Sequence, residues 1–430
     1  MLLSRRSFLV SSALMGSVAP LSAQDESVPG AIAALPTLKH KAKPFTNAER
    51  EARIEKARSL MGKCGIDAIV LAGGTSSVYF ANLQIGGGER LWALVIPRRG
   101  APFLVCPAFE EDRARELLAT SPLGKIADVR VWQEDESPYL RLIQGLKDRG
   151  IATGSLGMEE TVKFVFADAI RKAGAPSIEV VSATPVTAGC RMIKDAHEIE
   201  CLRLAGHATI LVYEAAYKSL REGMTQRDVM QLIEAGYARV GFPGEASITV
   251  GPYTASPHGS RVPQIIREGT VVMLDDGCRV EGYTSDITRT FVLGRPSEKM
   301  VQVFEIVRRA QHAALAAAKP GVPCEAVDAA ARNVITGAGY GPGFKYFTHR
   351  VGHGLGMDGH EWPYLAPNNM YGWPSKPLLE AGMVFSDEPG IYIKGEFGVR
   401  LEDDMHITPD GAVLLTPPSQ SLDQPFGTGA

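Results

Sequence analysis

Cysteine is scarce in this chain, with six in 430 residues, and none of Cys64, Cys106, Cys190, Cys201, Cys278 and Cys324 forms a CxxC pair. That excludes a disulfide-dense scaffold and a zinc site built on paired thiolates, and leaves buried free thiols as the expectation. Charge of one sign is lacking too. Lys+Arg number 45 against 48 Asp+Glu, a net charge of −3, which offers no footprint for a nucleic-acid partner. The apolar stretch from Phe8 to Val18 is too short, and too rich in Ser and Gly, to span a bilayer. His360-Glu361 is not part of an HExxH, so a zincin helix is excluded. Gly352-His353-Gly354 lacks the lysine and following helix of a phosphate loop.

What is present begins with MLLSRRSFLVSSALMGSVAPLSAQ. Arg5-Arg6 followed by Phe8-Leu9 resembles a twin-arginine export signal, with Ala23 the last residue before cleavage. This reading makes residues 1–23 a signal peptide and places the mature protein in the periplasm. Residues 24–44 carry Pro, Gly and Ala with little periodicity and read as a linker.

The remaining length suits two domains. From residue 45 to 188, helix and strand alternate. Thr46 to Glu49 has the form of a capping box, and Asp67 to Leu71 reads as a buried strand. Val78-Tyr79-Phe80, Leu91 to Ile96 and Pro102 to Cys106 read as further strands. From 189 to 416, helices opening at Asp195 and Thr225 are followed by strands, two more helices (Ser297 to Ala318 and Cys324 to Gly337) and a run of short strands, an α+β pattern. Residues 417–430 form a tail.

The chemistry lies in four stretches: LDDGCRVEGYTSDITRT, THRVGHGLGMDGHE, SDEPGIY and VRLEDD. Asp275 and Asp286 stand eleven positions apart across a turn, so a hairpin would bring them together. Strand alternation places Asp275 and Gly277 on one face, with room for an ion, and Asp276 on the other. If the carboxylates of Asp275, Asp286, Glu388 and Glu402 converge, each pair ~4 Å apart repels by roughly 4 kcal/mol at an effective dielectric of ~20. Summed over all pairs, that exceeds the stability of a domain, about 5–15 kcal/mol, so protons or cations must neutralise them. One imidazole and four carboxylates make an oxygen-rich shell that suits Mn, with Co, Zn, Fe or Mg as alternatives. Arg400 lies two residues before Glu402 on an expected strand and shares its face, where it could fix that glutamate.

From about residue 45 to 415 these strings, together with RMIKDAHEIECLRLAG, resemble the pita-bread metallopeptidase superfamily, in its aminopeptidase P and prolidase branch. The resemblance implies an α/β creatinase-like N-terminal domain plus an α+β pita-bread catalytic domain. It implies two metal ions held by Asp275, Asp286, His353, Glu388 and Glu402, with Asp286 and Glu402 bridging, and a metal-bridging hydroxide that attacks the scissile carbonyl. It also implies a small peptide substrate with proline at the second position and a homodimer. By the same strings Glu388 doubles as general base, His360 assists proton movement, His349 lines the proline side and His258 contacts substrate. Tyr79, Phe80 and Arg90 are candidates for a contribution from the N-terminal domain. Asp276 departs from the family pattern, where an apolar residue is usual. Trp362 to Leu379 reads as a lid, a dimer contact or a surface excursion. The rival readings are the same fold and metals acting on a non-peptide amide or as a lyase, and a metal-free creatinase-like or binding protein.

Overall fold

A computed structural model describes residues 28–125, 127–367 and 375–426. The signal-peptide reading of residues 1–23, and residues 368–374 of the Trp362 to Leu379 stretch, lie outside the described residues.

The chain does not begin its packing at residue 45. Helix α1 (Gly30–Ala33) buries Ile32 completely, and Leu35 and Leu38 follow it into the same core. Their spacing of three puts them on one face, a short period that a reading for linkers passes over. The segment from 28 to 44 therefore coats the catalytic domain.

Helix α2 (Asn47–Cys64) opens with the expected capping box. Thr46 N donates to Glu49 Oε2 at 2.6 Å, and Glu49 N donates to Thr46 Oγ1 at 3.2 Å. It ends at Gly65, whose φ of 70° is a left-handed conformation that suits a residue without Cβ. The strands β1 (Ala68–Leu71), β2 (Ala93–Pro97), β3 (Phe103–Pro107), β4 (Asp128–Trp132), β5 (Gly154–Met158) and β6 (Ile178–Ser182) form one sheet in the order β4-β3-β2-β1-β5-β6. β2 runs antiparallel to both neighbours and the other pairs are parallel. The inner strands β1, β2 and β3 are buried throughout, as continuous apolar runs require. Helices α3 (Thr75–Ala81), α4 (Glu111–Ala119), α5 (Pro138–Lys147), α6 (Phe164–Gly174) and α7 (Thr184–Arg191) cover it. The strand expected at Val78-Tyr79-Phe80 is instead part of α3. Tyr79 and Phe80 are buried on its inner side, so tertiary burial overrides their β preference.

The second half opens with α8 (Ala196–Ser219), capped by a box between Asp195 and Glu198, and α9 (Gln226–Val240), capped by Thr225. Strands β7 (Ser247–Val250), β8 (Val271–Asp275) and β11 (Arg289–Val292) form an antiparallel sheet in the order β11-β8-β7. A small hairpin of β9 (Arg279–Val280) and β10 (Tyr283–Thr284) is inserted between β8 and β11. Helices α10 (Glu298–Ala317) and α11 (Cys324–Gly337) follow. A second antiparallel sheet contains β12 (Gly352–Gly354), β13 (Glu361–Leu365), β14 (Val384–Asp387), β17 (Asp403–Thr408) and β18 (Gly411–Leu414), in the order β13-β12-β14-β17-β18. Between them β15 (Gly390–Ile393) and β16 (Phe397–Arg400) pair as a ladder.

One apolar core runs without a break from α1, α2 and the N-terminal sheet into α8, α9 and β8. A second fills the space between α10, α11 and the β12 to β18 sheet. All six cysteines are free, and only Cys64 is exposed. Burial pushes the thiols of Cys106, Cys190, Cys201, Cys278 and Cys324 up to about 12, so they act as apolar packing. No helix among the described residues is long and apolar enough to cross a membrane.

Candidate metal centre

Asp275, Asp286, His353, Glu388 and Glu402 all line one cavity of about 620 Å³ in the catalytic domain. Asp275 ends β8, and Asp286 stands just before β11. His353 is the middle residue of β12. Glu388 follows β14, and Glu402 lies between β16 and β17. Backbone N–H groups fix Asp286, Glu388 and Glu402: Asp286 N donates to Asp404 Oδ2 at 3.3 Å, Glu388 N to Val351 O at 2.8 Å and Glu402 N to Thr288 O at 3.3 Å. The approach to His353 is held by α11, where Arg332 donates to His349 O and Asp328 accepts from Val351 N. A Cβ on Gly352 would lie 2.0 Å from Ser386 O, so only glycine lets β12 and β14 come together beside the histidine.

Two groups of possible ligand atoms fall within 4.8 Å of one another: His353, Glu388 and Glu402, and Asp275, Asp286 and Glu402. Asp286, His353 and His360 form a third. His353 Nδ1 faces Gly354 O at 3.1 Å, and a carbonyl can only accept, so Nδ1 carries the proton. Nε2 then turns its lone pair toward Glu388 Oε1 at 3.3 Å and Asp286 Oδ2 at 3.6 Å. A lone pair facing two carboxylates is unfavourable unless a cation sits among them. The electrostatics agree. Burial, then the charges of Asp275 and Glu388, hold Asp286 well above the usual carboxylate range. Burial, then Asp286 and Glu388, does the same to Glu402. Glu388 goes the other way. Burial would raise it, but the Arg400 charge and the polar contacts around it hold it at about 2. The donor set therefore fits divalent cations.

Other expected residues fall where the sequence puts them, with different partners. Arg400 does not chiefly hold Glu402, which lies 3.8 Å from its Nε. It pairs closely with Asp275 Oδ2 and donates from Nε to Thr288 Oγ1 at 2.8 Å. The shared face fails because β16 ends at Arg400. Gly277 leaves room for the neighbouring chain, not an ion, since a Cβ there would lie 2.4 Å from Ser285 O. Asp276 is not turned away from the site. The strand stops at Asp275, Asp276 takes a left-handed φ of 94°, and its Oδ2 accepts from Ser247 N at 3.0 Å on the cavity wall. Burial, then Asp275, lifts it to about 6.

His258, His349 and His360 line the same cavity. His349 Nδ1 meets Arg350 O at 2.7 Å, so Nε2 accepts from Tyr392 OH at 2.7 Å, and both ring nitrogens are engaged by the protein. His360 stacks on His353 with ring centroids 3.7 Å apart. Its Nδ1 accepts from Arg350 Nη2 at 3.1 Å, which leaves the proton on Nε2. Burial, then the charges of His353 and Arg350, lowers it to about 4, so it is neutral at pH 7. Tyr79 and Phe80 are core residues, and Arg90 lines a separate cavity of about 240 Å³ in the N-terminal domain, paired with Glu134.

Thr288 and Tyr392 were missed. The Thr288 hydroxyl touches Asp275 Oδ1 and Glu402 Oε2 and accepts from Arg400. Its one proton cannot serve both carboxylates. Its place two after Asp286 was a usable signal, as was the tyrosine of EPGIY.

Fold and site together define a metallopeptidase with a creatinase-like N-terminal domain and a pita-bread catalytic domain. Residues 200–409 match the model of metallopeptidase family M24, and residues 53–193 match the creatinase/prolidase N-terminal domain. The chain belongs to metallopeptidase family M24, whose members use divalent metals. It is 34% identical over 368 residues to the putative dipeptidase YkvY of Bacillus subtilis, covering 85% of this chain and 97% of that protein. It is 32% identical over 376 residues to the Xaa-Pro dipeptidase of Lactobacillus delbrueckii subsp. lactis, covering 86% and 98%. The crystal structure of dipeptidase PepE from Mycobacterium ulcerans superposes with a TM-score of 0.80 at 32% identity, over 89% of this chain and 99% of that one.

Proposed function

We propose that this chain hydrolyses the bond before proline in short Xaa-Pro peptides, using two divalent ions, manganese foremost, held by Asp275, Asp286, His353, Glu388 and Glu402. The observation that carries this is the His353 Nε2 lone pair aimed into a cluster of carboxylates that the chain's own cationic side chains do not balance.

Divalent ions bound there supply Lewis acidity toward the scissile carbonyl and lower the pKa of water. The side chains do the rest. Glu388, ionised at neutral pH, accepts a proton from the attacking water at Oε2, because its Oε1 accepts from Ser386 Oγ at 3.2 Å. The same carboxyl delivers that proton to the imide nitrogen, which leaves as the amine of proline. His360 donates from Nε2–H to a substrate oxygen. His258, which lines the same cavity, contacts the substrate. His349 offers a ring face rather than a hydrogen bond, and with Phe344, Ala366 and Pro367 it makes an apolar wall for the proline ring. Arg400 holds Asp275, and through Tyr392 it orients His349.

We also place the mature protein in the periplasm, on the strength of the Arg5-Arg6 segment, as a homodimer. The test is a panel of Xaa-Pro dipeptides and longer peptides with the manganese-loaded protein, a chelated control and Glu388→Ala. Turnover lost in both controls, with the variant folded and about two ions per wild-type chain, is expected. No bound metal, or near-normal turnover by Glu388→Ala, would sink the reading.

A further inference from the structure

A polar joint links the N-terminal domain to the turn that carries His360. Arg191, the last residue of α7, is largely buried, and its Nη2 meets Asp358 Oδ2 at 2.6 Å and, still closer, Glu361 Oε1. Lys194 Nζ lies 3.5 Å from Glu361 Oε2. Thr75, at the start of α3, donates to Asp358 Oδ1. On the other side, Asp358 N donates back to Glu361 Oε1 at 3.0 Å, closing the turn on itself. Trp362 Nε1 reaches Glu160 Oε2 at 3.2 Å. His360 therefore stands between two acids whose guanidinium partner ends α7, inside the 53–193 match to the creatinase/prolidase N-terminal domain. A planar guanidinium can hold two carboxylates in a set relation, which an ammonium cannot.

We propose that Arg191 is a positioning residue. It braces the 358–361 turn so that the His360 ring stays stacked on His353 with Nε2–H held toward the cavity. The N-terminal domain thereby acts within its own chain to set the geometry of the reaction. This rests on the reading of the cavity as the hydrolytic site, but the brace itself is a matter of structure.

The test is a double-mutant cycle in the manganese-loaded full chain with Arg191→Gln and His360→Ala. Arg191→Gln should lower kcat about tenfold or more in the wild-type background. It should change kcat by less than about twofold where His360 is already alanine. Arg191→Lys should recover only part of the loss. If Arg191→Gln does not fold, Asp358→Asn, whose side chain is 45% exposed, weakens the Asp358 half of the link and should show the same pattern with a smaller loss. Activities within about twofold of wild type, or an equal loss in the His360→Ala background, would overturn the brace. Hydrogen–deuterium exchange reads it without turnover: residues 355–365 should exchange faster in Arg191→Gln, and α10 should not. If the wild type cleaves no Xaa-Pro peptide, the functional reading fails and exchange alone decides; unchanged exchange at 355–365 then overturns the brace.

Discussion

Two clusters of acids border one another at His360. In the joint, Asp358 and Glu361 meet Arg191 and Lys194, so two negative charges face two positive ones. In the centre, Asp275, Asp286, Glu388 and Glu402 face a single guanidinium, Arg400. The first cluster is balanced by the chain itself and can only hold shape. The second is left three charges short, and burial first, then the neighbouring carboxylates, push two of its carboxyls well above their usual range. Balance inside a protein marks structure, whereas a sustained deficit marks a place prepared for something brought in from outside.

The largest effect should come from Asp286→Asn. We expect turnover to fall about a thousandfold or more. Manganese at a hundred times its dissociation constant should raise wild-type stability by about 2.7 kcal/mol and the variant's by far less. In chelator, the variant should melt no lower than wild type, because it has lost a repelled charge. A lower melt in chelator would break the contrast between the clusters.

The opposite is expected in the joint. Glu361→Gln leaves Arg191 and Lys194 facing each other and should cost about 3–5 kcal/mol in urea melts. Burial would raise Glu361, but the charges of Arg191 and Lys194 prevail and lower it. A lowered folded value means that its stabilisation is present above the ordinary carboxylate range and is lost as pH falls through the folded value. The gap between variant and wild type should therefore be full at pH 7 and narrow below pH ~4.5. A gap that does not change with pH would contradict the pairing.

Smallest should be Lys194→Met, at about 1 kcal/mol. The partners here respond differently. Glu361 raises Arg191, whereas burial outweighs the same pairing and lowers Lys194. Arg191 is the partner that matters, since it is the closer and satisfies two acids. A loss for Lys194→Met as large as for Glu361→Gln would reverse that ranking.

The ligands were legible because each sits in a short string whose spacing survives folding: LDDG, SDITRT, GHG, DEPG and RLED. Their partners were harder to read. Arg400 and Asp276 were misjudged by the same error, since strand alternation was carried one or two residues past the point where β16 and β8 end. The helix at Val78-Tyr79-Phe80 was misread because three β-formers in a row outweigh a weak helical pattern until burial is known. The joint was unreadable for a different reason. Arg191 and Asp358 are 167 positions apart, and nothing local in either segment requires the other.

The apolar core that passes from α2 into α8 and α9 changes what counts as a part of this molecule. Descent divides the chain into two modules. Heat should not divide it there: the N-terminal half cannot loosen without stripping side chains from α8 and α9, so those two helices are expected to melt together with it.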